Sequence, residues 1–78
     1  MGQRMPTVNA KLMIKFLNSL GFEKIRQKGS HKFFKHEDGR TATVPDHQGD
    51  DLGRGLTNKI LKDIEVSKEE FIHWLSNK

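Results

Sequence analysis

The dipeptide Asp38-Gly39 constrains this chain more than any other feature. Asp and Gly tolerate the positive φ of a tight primed turn, and runs of strand-forming residues on both sides make the pair a hairpin signal. His31 to Glu37 precedes it. Arg40 to Val44, rich in Thr and Val, follows it, and Pro45 ends the run. A two-residue turn sets Glu37 opposite Arg40, Lys35 opposite Ala42 and Phe33 opposite Val44. Side chains alternate across a strand, so Phe33, Ala42 and Val44 are expected on the core face. Lys32, Phe34, His36, Thr41 and Thr43 are expected on the polar one. A three-residue turn would flip that parity between the strands.

The remaining elements follow from periodicity. Asn9 can cap a helix from about Ala10 to Leu20, where Leu12, Met13, Phe16, Leu17 and Leu20 form one apolar stripe and Gly21 is the natural stop. Phe22 to Lys28 reads as a strand with Ile25 as its central apolar residue, broken by Gly29-Ser30. Asp46 to Gly55 is a polar, glycine-containing loop. A second helix is expected from about Leu56 to Asp63. Ser67 and Glu70 make a capping box for a last helix that buries Phe71, Ile72, Trp74 and Leu75. The order α-β-β-β-α-α predicts an α+β domain with helices packed on one face of a three-stranded antiparallel sheet. The whole chain, residues 1–78, is read as one domain, with 1–8 an N-terminal extension and 67–78 an extra C-terminal helix.

Size and composition narrow the function. With 78 residues and no cysteine, disulfides and Cys-based zinc sites are excluded. No apolar run approaches the roughly 18 residues of a membrane span. The opening MGQRMPTV lacks the apolar middle of a signal peptide, and Pro6 stands where a myristoylation signal wants Ser or Thr. The expectation is a soluble cytoplasmic protein without a membrane partner. A net charge of +4 favours an anionic partner such as nucleic acid or an acidic protein. Lys24, Arg26, Lys28, Lys32, Lys35 and Arg40 concentrate that charge in one stretch.

Within it lies Lys28-Gly29-Ser30-His31-Lys32. Four histidines, His31, His36, His47 and His73, do not form a metal-binding spacing, and neither a nucleophile elbow nor a P-loop is present. No metal or cofactor is expected. RNA cleavage asks for less, because RNA carries its own nucleophile, the 2′-hydroxyl. A histidine titrating near neutral pH can move the proton, cations can hold the phosphate, and glycine lets a backbone amide come close. The plainer alternative is a Gly-Ser turn leading into a half-buried polar histidine. Phe33 is read as core, whereas Phe34 is open between base stacking and packing. His31 shares the parity of Phe33, so a bulge at Gly29-Ser30 or a place at the rim of the sheet would be needed to turn it outward.

The run from Leu20-Gly21-Phe22 through Arg26-x-Lys28-Gly29-Ser30-His31, His36-x-Asp38-Gly39-Arg40, Val44-Pro45-x-His47 and Leu56-x-x-x-Ile60-Leu61-Lys62-Asp63 resembles the HicA toxins, also called the YcfA-like family. The resemblance covers about Asn9 to Leu75. It implies a fold similar to a double-stranded-RNA-binding domain and a metal-independent mRNA interferase of a type II toxin–antitoxin system. It also implies a catalytic histidine at His31 and a HicB-like antitoxin that masks it. Arg26, Lys28, Gly29, Ser30, Lys32, Lys35, Arg40 and His47 are the candidate RNA-binding residues, with His47 also a candidate second proton-transfer group. Two other readings stay open: a non-catalytic RNA-binding module of the double-stranded-RNA-binding type, and an interaction domain whose charge suits an acidic partner.

Overall fold

The computed structural model describes residues 6–47 and 50–77. Residues 1–5, 48, 49 and 78 lie outside it, and with them most of the N-terminal extension and part of the glycine-containing loop. The elements are α1 (Ala10–Ser19), β1 (Glu23–Lys28), β2 (His31–Lys35), β3 (Thr41–Pro45), α2 (Arg54–Asp63) and α3 (Lys68–Asn77). The three strands form one antiparallel sheet in the order β1-β2-β3, with the helices on one face. This is the α+β arrangement of the double-stranded-RNA-binding type, followed by an additional helix. No helix among the described residues is long and apolar enough to cross a membrane.

Helix α1 begins where the Asn9 side chain accepts the Leu12 N–H at 2.9 Å. It buries Met13, Phe16 and Leu17, as its stripe predicts. At its end the Phe22 N–H reaches back to the Leu17 carbonyl and the Gly21 N–H to that of Asn18, bonds that close the last turn. Helix α2 starts at Arg54, two residues before the expected Leu56. The Ser67 half of the expected capping box forms, with the Glu70 N–H on the Ser67 hydroxyl oxygen at 3.0 Å. Of the four residues expected to be buried by α3, Phe71 is buried while Ile72, Trp74 and Leu75 stay half-buried. Phe71 and Trp74 close on Phe16 at ring distances of 4.8 and 5.1 Å.

The expected β2–β3 register is wrong by one residue. The hairpin loop has three residues, Glu37, Asp38 and Gly39, closed by the His36 N–H on the Arg40 carbonyl and the Gly39 N–H on the His36 carbonyl, both 2.9 Å. Asp38 avoids positive φ, and Gly39 alone takes the left-handed residue at φ +100°. The Asp38 carboxylate stabilises this form by accepting the Arg40 backbone N–H at 3.0 Å and its Nε–H at 2.8 Å. Lys35 therefore pairs with Thr41, Phe34 with Ala42, Phe33 with Thr43, Lys32 with Val44 and His31 with Pro45.

This pairing reverses the faces of β2. Phe34, at 2% exposure, enters the core with Ala42 and Val44, and Phe33 turns outward. His31, Phe33, Lys35, Thr41 and Thr43 share the open side. Strand β1 carries a bulge between Lys24 and Arg26, and Ile25 there is 57% exposed rather than central to a buried strand. His36 faces inward beside α1. Its Nε2–H donates to the Leu20 carbonyl at 3.0 Å and its Nδ1 accepts the Asp38 N–H at 3.1 Å, so the Nε2-protonated tautomer satisfies both.

Two outcomes are expected. Phe34→Ala should destabilise the protein by about 3–5 kcal/mol, and Phe33→Ala by about 1 kcal/mol or less; urea unfolding of the two variants measures the difference. The Arg40 backbone N–H holds the Asp38 carboxyl below its ordinary value of 3.8; desolvation opposes it as the next largest influence, and the Arg40 guanidinium and His36 add smaller lowering ones. A lowered folded-state value means that the carboxylate's contribution is complete at neutral pH. It is lost as the pH falls below 3.8 toward the folded-state value. The stability advantage of the wild type over Asp38→Asn should therefore shrink in that acid range and be constant above it, as thermal unfolding across pH would read.

Candidate functional site

The end of the sheet at the β1–β2 turn gathers most of the sequence's candidate residues, on two sides. Gly29, at φ +60°, makes the turn, and Ser30 leads into β2. The Ser30 carbonyl accepts the Asp46 N–H at 2.6 Å, which ties the β3–α2 loop to the turn.

On the open side, residues directly opposite one another point to the same face. Lys28 pairs with His31, Arg26 with Phe33, and Glu23 with Lys35. Three cross-strand rows result: Lys28–His31–Pro45, Arg26–Phe33–Thr43 and Glu23–Lys35–Thr41. The Arg26 guanidinium lies over the Phe33 ring, 4.6 Å from its centroid. The side chains of His31, Lys28 and Lys35 are exposed and make no hydrogen bond, ion pair or ring contact with any described residue. No bulge at Gly29-Ser30 is needed to turn His31 outward, since the register of β2 already does so.

On the other side, a groove of about 820 Å³ runs between the first turns of α1 and the β1–β2 turn, lined by Lys11, Ile14, Gln27, Ser30, Lys32, Asp46 and His47 among others. Ser30 Oγ and His47 Nε2 stand 3.4 Å apart, a long hydrogen bond whose donor depends on the imidazole tautomer. Lys32 Nζ donates to the Asp46 carboxylate at 2.6 Å, so its charge is met within the protein. Gln27 donates to the Gly29 carbonyl at 2.9 Å and braces the turn from this side.

The sequence-predicted residues therefore divide. Arg26, Lys28, His31 and Lys35 share the open face. Ser30, Lys32 and His47 face the groove, with Gly29 at the junction. Arg40 belongs to neither, being the length of β2 away from His31. Its guanidinium is held by Asp38 and by the Ile64 carbonyl, at 2.8 and 2.5 Å, and lies over Phe22. That arrangement joins the hairpin loop to the end of α2. Phe33 is the residue that sequence reasoning missed. The signal for it was the length of the Glu37–Gly39 loop, which alone decides whether Phe33 or Phe34 leaves the core.

The four histidines now have distinct settings. His36 is locked between Leu20 and Asp38, His47 touches Ser30, and His73 lies against Asn77 on α3. His31 has an unengaged imidazole with a lysine directly across from it. Among the described residues no three His, Asp or Glu side chains converge as metal ligands would. An unengaged imidazole among cations can exchange protons with a bound anion and its neighbours, and the exposed lysines can neutralise that anion.

The family model described as the HicA toxin of bacterial toxin–antitoxin systems matches residues 10–66. No curated protein matches the chain. The matched stretch runs from the first residue of α1 through the whole sheet to the residues after α2, well over half of the 78 residues, and leaves α3 outside. The chain belongs to the HicA family of toxins of bacterial toxin–antitoxin systems.

Proposed function

We propose that this toxin is an endoribonuclease that cleaves mRNA in the cytoplasm and so stops translation, with His31 as its general acid or base. The observation that carries this reading is the setting of His31. Of four histidines, all described, it is the one whose ring makes no hydrogen bond, ion pair or ring contact with a described residue, and it stands on an exposed face beside Lys28.

The chemistry needs no nucleophile from the protein. The RNA 2′-oxygen attacks the adjacent phosphorus, the bond to the 5′-oxygen breaks, and a cyclic phosphate and a free 5′-hydroxyl remain. One proton leaves the 2′-hydroxyl and one arrives at the departing oxygen, and His31 performs one of these transfers. Lys28, across the ladder, meets the phosphate charge, and Arg26 and Lys35 guide the flanking backbone. Gly29 and Ser30 let the strand approach the turn. Lys32, paired with Asp46, supports the turn more than it holds RNA. His47, held by Ser30 on the groove side, braces the segment that carries His31 and stands on the other side of the sheet from the open face. The proposed reaction runs on side chains, without a metal ion. A HicB-like antitoxin is the inferred partner, and an acidic surface on it would suit the cationic face and cover His31.

Purified protein should cut RNA in EDTA, and His31→Ala should lower the rate by about 100-fold or more with an unchanged circular dichroism spectrum, because the exposed side chain makes no hydrogen bond, ion pair or ring contact with a described residue. Equal cutting by both proteins would point to a contaminating nuclease and overturn the assignment. Binding without cutting by both would make the chain an RNA-binding module. In the His31→Ala background, Lys28→Ala should reduce the slope of log affinity against log salt by about 0.7, the value of one phosphate contact on a single strand.

A further inference from the structure

The open face carries an aromatic ring for which proton transfer has no use. Phe33 stands there half-buried, between Arg26 on β1 and Thr43 on β3, while Phe34 fills the core beneath. Phe33 and His31 are two residues apart on one face of one strand, about 7 Å, a separation that one unstacked nucleotide can bridge.

We propose that Phe33 is a base-stacking platform, and that the substrate laid across this face is single-stranded RNA, one base on Phe33 and the adjoining phosphate at His31. The proposal rests on the reading of His31 as the proton-transfer group. Three features support it. Charge is complementary to a nucleic-acid backbone: Arg26, Lys28 and Lys35 line the face against one acid, Glu23, which lies opposite Lys35 in the row farthest from the turn. The face is an exposed sheet rather than a helical ridge, and bases can lie flat on such a surface only when they are free of a duplex stack. Finally, the Arg26 guanidinium already occupies a stacking position over the ring at 4.6 Å. That contact is exposed and therefore weak, and stacking of a base on the ring is the stronger interaction. A base can displace the guanidinium, which then stands beside the backbone phosphate. Thr43, in the same row, presents a hydroxyl to the edge of the stacked base.

The test uses the full chain with His31→Ala, so that RNA is bound but not cut. The probes are a short labelled single-stranded RNA and the same strand annealed to its complement. Phe33→Ala should weaken single-strand binding about tenfold, Phe33→Trp should restore it, and duplex binding should be weaker and indifferent to both changes. Thermal unfolding of both variants verifies that the fold is kept. If Phe33→Ala binds as tightly as its parent while His31 still controls cleavage, the platform is wrong and the acid–base reading stands. If the duplex binds better than the single strand, the substrate class is wrong. If the wild type neither binds nor cuts RNA, both readings fall and the face belongs to a protein cover.

Discussion

The hydrogen bonds that close the Glu37–Gly39 loop decide which side of the sheet every residue of β2 and β3 occupies. A strand has only two faces, so a change of one residue in the loop exchanges the whole set. The three-residue form is held by bonds of different kinds: Asp38 to the Arg40 backbone and side chain, Arg40 onward to the Ile64 carbonyl, and His36 between Asp38 and Leu20. They reach from the hairpin to the end of α1 and the end of α2. The register is thus fixed by the helices as well as by the turn. Through the register, residues at one end of the hairpin determine the exposure of His31 at the other.

The cations of the Lys24–Arg40 segment differ in what they are available to do. Lys32 meets Asp46 and Arg40 meets Asp38, both within the fold. Among the described residues Lys28 and Lys35 have no such partner, and the Arg26 guanidinium lies over an aromatic ring with no carboxylate beside it. Counting basic residues in sequence therefore overstates the charge offered to a ligand, and the sheet concentrates what remains on one side. The groove on the opposite side is mixed in charge, with Lys11 and Lys32 against Asp46 and Asp50. An anion would find the open face the more favourable of the two.

Much of this was legible in the sequence because it is local. The apolar stripe from Leu12 to Leu20, the Asn9 cap, the Gly21 stop and the Ser67 cap each involve residues within a few positions, and each appears where the pattern put it. The parity of β2 was not legible. Glu-Asp-Gly accommodates a two- or a three-residue loop, and the balance is tipped by contacts of Arg40 and His36 with residues 24 and 16 positions away. The candidate site divides along the same line. His31 and its lysine neighbours could be named from the Lys-Gly-Ser-His-Lys run. The pairing of Lys32 with Asp46 and the approach of His47 to Ser30 depend on how the β3–α2 loop returns to the turn.

The bulge in β1 sets the electrical character of the sheet. From Glu23, which faces outward opposite Lys35, strict alternation would send Ile25 and Gln27 outward and Lys24, Arg26 and Lys28 inward. The extra residue at Ile25 resets the count, and Arg26 and Lys28 emerge beside Phe33 and His31 instead. Leaving one residue unpaired as a bulge, in place of pairing it, thus exchanges a neutral surface for a cationic one without altering a single charge in the chain. Pairing the same residues without the bulge would turn Arg26 and Lys28 inward, with composition, net charge and the Gly-Ser-His segment unchanged. A chain one residue shorter at Ile25 would keep Arg26 and Lys28 outward in an unbroken ladder, so the pairing of this strand, and not its charge count, decides what the sheet presents.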